Sequence, residues 1–308
     1  MRTYWNINKK LKAIDEWQPY CWTQVTCPVK EDEDFLQEKL GIPDYFLSDI
    51  ADADERARYE IDEGFVFIIL RIPYVKDVRS RTPYTTIPLG IIMKDDIMIT
   101  VCYYETDMMI DFLSYQQKRG EGFTDFVDMI FRIFLSSAVW YLKRLKQISF
   151  LIEKAKRQLD KSVDNQDIIS LARLQDSLTY FMTSIKGNET LLTKLKFRLP
   201  IDELDAELIE DVNIEMNQAQ EMTSIYSNIL ESTMDTYSNI INNNLSKVMR
   251  KLTSYSIIIM VPTLIASYLG MNLYNGIEQS VYGFWGVTAL SLVLGAASYF
   301  YFKHQDML

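Results

Sequence analysis

The residues best suited to chemistry fall in one stretch near the C-terminal end of the chain. Counting in sevens from Asp235 gives Asp235, Asn242, Met249, Ser256, Thr263 and Gly270. A second series, four residues on, gives Asn239, Ser246, Thr253, Met260 and Ser267. Apart from Met249 and Met260 every member is polar or small, and the tripeptide Gly270-Met271-Asn272 closes the stretch. A seven-residue repeat holds one helix face toward a common axis when helices supercoil around each other. Hydroxyl, amide and carbonyl oxygens on such a face suit a hard cation or its water shell. Small-residue packing between membrane helices produces a similar spacing. It does not require Asp235 or a repeat that continues below the span, whereas polar groups facing a water-filled cavity account for both.

The surrounding elements must place that face in a membrane. Leu252 to Leu273 contains no charged residue, and neither does Val281 to Phe302. Each reaches the roughly 20 apolar residues that cross a bilayer core. Lys247, Arg250 and Lys251 precede the first span, Lys303 follows the second, and the loop between carries only Glu278. The positive-inside rule then puts both termini in the cytosol. Neither glycine nor proline occurs from Ile201 through Val261. A helix carried uninterrupted from there to Met271 would be roughly 100 Å long at 1.5 Å per residue. One helix encloses no lumen, so a pore built from this face requires several subunits.

These residues resemble the CorA-type magnesium channel family, whose signature is a Gly-Met-Asn at the outer end of the first of two spans. The resemblance extends back through Leu245-Ser246-Lys247-Val248-Met249-Arg250-Lys251-Leu252-Thr253. It implies a homopentameric funnel in the cell membrane, conducting Mg²⁺ with Co²⁺ or Ni²⁺ as further cargo. It implies a selectivity filter at Gly270, Met271 and Asn272, where an amide ring meets a hydrated ion. It places a gate at Met249 and Leu252, since apolar rings can close a pore by dewetting. The lining would be Asp235, Asn242, Ser246, Ser256, Met260, Thr263 and Ser267, with Glu278 in the external loop. It also places a regulatory cation ligand at Asp211, with Asp95, Asp96 and Asp49 as candidate partners on the adjacent subunit. The chain departs from the family pattern at Leu269, usually Tyr, at Pro262, one place late, at Ser256 and Ser267, and at Tyr274. These departures bear on ion preference, and a zinc or other divalent carrier of the same fold is the alternative. Met271 favours magnesium over it. A membrane-anchored cytosolic sensor is the alternative from outside transport, and the polar heptad counts against that.

Composition excludes other classes. The 308 residues have a formal net charge of −10, which argues against nucleic acid as a partner. There is no phosphate-binding Gly-x-x-x-x-Gly-Lys and no His-Glu-x-x-His, and His304 is the sole histidine, so an enzyme is not expected. Cys21, Cys27 and Cys102 read as reduced thiols, and the polar segment Met1–Lys12 does not read as a signal peptide. Between Asp202 and Glu221 stand eight acidic residues and no basic one. Such a run repels itself along a helix unless a cation bridges it.

The expected fold is α+β joined to a helical membrane part. Residues 1–122 form a cytosolic α/β domain, 123–200 an antiparallel helical hairpin, and 201–253 a stalk helix. Residues 254–273 form the pore-lining span, 274–280 an external loop, 281–302 the second span and 303–308 a cytosolic tail. Phe65–Pro73 reads as a buried strand, and Leu89–Met93 with Ile97–Val101 as a hairpin around Lys94-Asp95-Asp96. Asp44–Tyr59 reads as an acidic helix. Helical periodicity runs from Phe123 to about Lys161 and from about Asp167 to Phe197, ending before Pro200 as a pre-proline position requires.

Overall fold

The structure, a computed structural model, describes residues 1–7, 10–76, 80–160, 165–271, 282–305 and 307. It divides into two compact units, Met1–Met234 and Asp235–Leu308.

The first unit is built on a seven-stranded sheet. Its strands are β1 (Arg2–Asn6), β2 (Lys12–Ile14), β3 (Cys21–Thr26), β4 (Arg58–Asp62), β5 (Phe65–Val75), β6 (Tyr84–Lys94) and β7 (Ile97–Cys102). They lie in the order β2-β1-β3-β7-β6-β5-β4. Only β3 and β7 pair in parallel. The β6–β7 hairpin turns through Asp95-Asp96, with Asp95 in the left-handed region at φ 42°. Successive residues of β5 serve opposite cores. Phe65, Phe67 and Ile69 pack with Phe46, Leu47 and Ile50 of α2 (Asp44–Ala51). Ile68, Leu70 and Ile72 pack with Ile130, Phe131 and Phe134 of α4 (Phe126–Leu159). Burial on both faces is why this strand reads as an apolar run and not as an alternation. Gly90 on β6 permits the approach of α2, because a Cβ there would lie 2.2 Å from Ile50 Cδ1.

The expected helix over Asp44–Tyr59 is shorter than its composition suggests. The helix α2 stops at Ala51, Asp52 Oδ1 accepts from Asp54 N at 3.0 Å in a turn, and Arg58–Asp62 becomes edge strand β4 against β5. An aspartate that bonds nearby backbone competes with helix continuation. Pairing of Arg58 with Ile69 through to Asp62 with Phe65 then settles the outcome.

Helix α1 (Lys30–Asp34) runs into a π-helical turn at Phe35–Lys39, and α3 (Asp107–Arg119) ends at Gly120 with φ 75°. Asp125 caps α4, accepting from Val127 N at 2.8 Å and Asp128 N at 2.9 Å. Helices α4 and α5 (Asn165–Arg198) lie within a few residues of the ranges read from periodicity. Helix α6 (Glu203–Leu269) starts at Asp202, whose Oδ1 accepts from Asp205 N at 2.8 Å. Its portion in the first unit buries Ile209, Val212, Met216, Ala219, Thr223 and Leu230, a 3–4 spacing that gives one inward stripe.

The second unit holds the rest of α6 and α7 (Gly283–His304). Both helices carry a window long and apolar enough to cross a membrane. The sequence places apolar residues all round α7, and none of its residues is buried within the chain, as lipid solvation of such a helix requires.

Candidate functional site

The last turns of α6 have two unlike sides. Ser254 is fully buried and its Oγ donates to the Met307 carbonyl at 3.3 Å. Ile258, Val261, Pro262 and Ile265 are half-buried on the same side. Here α6 meets α7, where a Cβ on Gly295 would stand 3.4 Å from Pro262 Cγ. Proline lacks the N–H that would bond one turn back, and the helix nevertheless continues to Leu269.

Ser256, Met260, Thr263 and Ser267 each lie two residues beyond a member of that packed side, about 200° around the helix at 3.6 residues per turn. All four are exposed. Asp235, Asn242, Ser246 and Gly270 are also exposed. So are Met249 at 52% and Leu252 at 58%, together with the apolar Leu245 and Val248. From Ser256 to Ser267 the heptad series therefore lies on the side of α6 opposite its α7 contact, whereas from Ser238 to Thr253 every residue of the helix is exposed.

Three hydroxyls of the series share one arrangement. Thr253 Oγ1 donates to the Met249 carbonyl at 2.9 Å, Ser256 Oγ to Leu252 at 2.9 Å, and Thr263 Oγ1 to Ile259 at 2.8 Å. A hydroxyl has one proton and two lone pairs. With its proton given to the backbone, each presents only acceptor capacity outward. These three hydroxyls can take hydrogen bonds from the water shell of a cation.

At the end of α6 Gly270 N donates to the Ala266 carbonyl at 2.9 Å, and Met271 is exposed. Asn272 and Glu278 lie outside the described residues.

The regulatory candidates lie in the first unit and stay apart. Asp211 is exposed on α6, Asp95 and Asp96 form the β6–β7 turn, and Asp49 on α2 is ion-paired with Arg58. Among the described residues no three Asp, Glu, His or Cys come together as a metal cluster. The acidic run has a further property at its start. Asp128 and Asp205 are both buried. Burial pushes both carboxyl groups above the usual range, and Asp125 adds repulsion to each. Arg132 Nε donates to Asp128 at 2.6 Å and partly offsets the charge.

Sequence reasoning missed Ser254 and the Pro262–Gly295 contact. A glycine within an apolar span was the available signal for close helix approach, but nothing local named its partner.

Residues 17–304 match the sequence model of a family described as CorA-like Mg2+ transporter protein. The cobalt/magnesium transport protein CorA of Methanocaldococcus jannaschii is 27% identical over 301 residues, covering 94% of this chain and 92% of that protein. The complete structure of the CorA magnesium transporter from Methanocaldococcus jannaschii superposes with a TM-score of 0.84 at 24% identity, covering 98% and 97% of the two chains. The ZntB cytoplasmic domain from Vibrio parahaemolyticus shares the fold over 79% of this chain and 97% of its own, with a TM-score of 0.62 at 12% identity.

Proposed function

The chain belongs to the family of CorA-like Mg2+ transporter proteins, and on that premise we propose that it forms a homopentameric channel for passive Mg²⁺ entry through the cell membrane. The observation that carries this reading is the exposed side of α6, opposite its α7 contact, where hydroxyl protons are committed inward and lone pairs face out. Five such sides around an axis enclose a lumen that solvates a hydrated cation without stripping it. This suits Mg²⁺, which dehydrates reluctantly.

In this reading Asn272 supplies the amide ring of the outer filter, with Gly270 carbonyls and Met271 beside it. The α6 C-terminus adds partial negative charge at the mouth. Asp235 collects cations at the inner end, and Met249 and Leu252 form the apolar constriction. The membrane potential drives entry, since two charges crossing 100 mV gain about 4.6 kcal/mol. Both termini lie in the cytosol. Divalent cations bound between subunits at Asp211 hold the channel closed when internal Mg²⁺ is high. Asp95 or Asp96 is the better partner, because Asp49 already answers Arg58. The Methanocaldococcus relative is named for cobalt as well as magnesium, so Co²⁺ is the second cargo and Ni²⁺ the third.

The test is cation flux into liposomes holding the purified protein, with Mg²⁺, Co²⁺, Ni²⁺ and Zn²⁺ compared at equal gradients. Wild type should pass Mg²⁺, and Asn272→Ala should abolish that flux while the oligomer stays intact on size-exclusion chromatography. Zn²⁺ flux exceeding Mg²⁺ flux would replace the cargo. Full Mg²⁺ flux in Asn272→Ala would remove the filter assignment.

A further inference from the structure

A cavity of about 610 Å³ opens in the first unit between α5 and the segment that leads into β4. That volume is in the range of small-molecule sites. The buried guanidinium of Arg71 forms part of its wall. Its Nη1 donates to the carbonyls of Ala53 at 2.6 Å and Glu55 at 2.8 Å, and its Nη2 to Thr86 O at 2.6 Å and Thr86 Oγ1 at 2.8 Å. All four acceptors are neutral, and Asp52, Asp54 and Glu55 offset the charge only through space, with no ion pair to Arg71 among the described residues. Burial lowers its pKa, a sign of how poorly solvated that charge is.

Arg56 and Lys194 also line the cavity, both exposed, and neither has an ion-pair partner among the described residues. Arg58, beside them, is matched by Asp49, Glu55 and Glu60. Asp54 is the one lining acid without such a match. The unmatched charges therefore favour an anion, on a protein whose overall charge is −10.

The α5 wall adds a second requirement. Thr179, Thr183 and Thr190 give their hydroxyl protons to the carbonyls one turn back at 2.9 to 3.0 Å. They present acceptors, as does the Asp54 carboxylate. A ligand must therefore carry hydroxyl or amino donors as well as negative charge. Tyr180, 43% exposed at the cavity, offers an aromatic surface.

We propose that this cavity binds a nucleoside phosphate, with phosphates at Arg56 and Lys194, sugar hydroxyls toward Asp54 and the threonines, and the base against Tyr180. Every residue that lines it belongs to the first unit.

The experiment is calorimetric titration of the detergent-purified full chain with ATP in magnesium-free buffer, with inorganic triphosphate as comparator. Wild type should bind ATP saturably and more tightly than triphosphate. The double variant Arg56→Glu/Lys194→Glu should weaken ATP at least tenfold. Tyr180→Ala should weaken ATP severalfold and leave triphosphate unchanged. The single variants Arg56→Gln and Lys194→Gln, each expected to lose severalfold, carry the charge test if the double variant fails to fold. Absence of saturable ATP binding by wild type, or unchanged affinity in the charge variants, overturns the site. Triphosphate binding as tightly as ATP overturns the nucleoside assignment.

Discussion

Asn188 on α5 and Arg71 on β5 exchange two hydrogen bonds across the interior of the first unit. Asn188 Oδ1 accepts from the Arg71 N–H at 3.0 Å, and Asn188 Nδ2 donates to the Arg71 carbonyl at 2.7 Å. Tyr141 on α4 donates to the same carbonyl at 3.0 Å. Strand β4 begins at Arg58 opposite Ile69, two residues short of Arg71. The amide of Asn188 thus does what that edge strand would do if it ran two residues further. Both long helices are thereby tied to the sheet at one backbone position.

Asn188→Leu keeps the branched shape and removes both bonds, leaving a buried N–H unsatisfied. The loss should be about 2–3 kcal/mol, from one orphaned donor plus a weakened acceptor. Thermal unfolding followed by circular dichroism should show a midpoint lower by several degrees. Tyr141→Phe should cost less, because Asn188 still serves the carbonyl. Equal midpoints for wild type and Asn188→Leu would remove the pairing as a source of stability.

The Pro262–Gly295 contact makes a graded prediction. Gly295→Ala places its Cβ at an ordinary 3.4 Å from Pro262 Cγ and should leave the oligomer and its flux unchanged. Gly295→Leu needs space that α6 occupies, so it should force the two helices apart. Size-exclusion chromatography should then show less oligomer. Full assembly in Gly295→Leu would mean that the helices repack without consequence.

Asp205 gives the pH dependence. Burial raises its pKa above the ordinary carboxylate value, with Asp202 and Asp125 adding to the shift. The folded state then holds a proton that the unfolded state has released, in a window that starts near the ordinary pKa of about 4 and extends upward. Stability from this group is therefore present below that window and lost as pH rises through it. Asp205→Asn, which carries no charge, should raise the unfolding midpoint at pH 7 relative to wild type and change it least near pH 4. A variant less stable at pH 7 would show that the carboxylate's cap at Asp202 N, 3.4 Å away, outweighs its burial.

For the proposed gate, Met249→Ser replaces an exposed apolar side chain of α6. A ring of hydroxyls stays wet where a ring of thioethers expels water. Flux at high internal Mg²⁺ should rise severalfold over wild type in liposomes. Normal closure would move the constriction to another apolar position, with Met260 next.

The two apolar spans, the helices α4 and α5, the β6–β7 hairpin and the heptad from Asp235 to Gly270 were all legible in the sequence. Each depends on a local quantity: the length of an apolar run, a period of 3.6 or seven, or a short turn between two strand-like segments. The family resemblance, too, rested on residues adjacent in the chain. Other features came from surfaces that meet only after folding. Arg58–Asp62 became a strand because β5 offered an edge to pair with, against an acidic composition that reads as helix. Strand β3 found β7 in parallel across a long stretch of intervening chain, and Asn188 found Arg71 at a separation of 117 residues. Gly90 and Gly295 are explained by Ile50 and Pro262, neither of which is near them in sequence. Periodicity defines a face, but the partner of that face depends on which distant side chains fill the same volume, and that the tertiary structure alone decides.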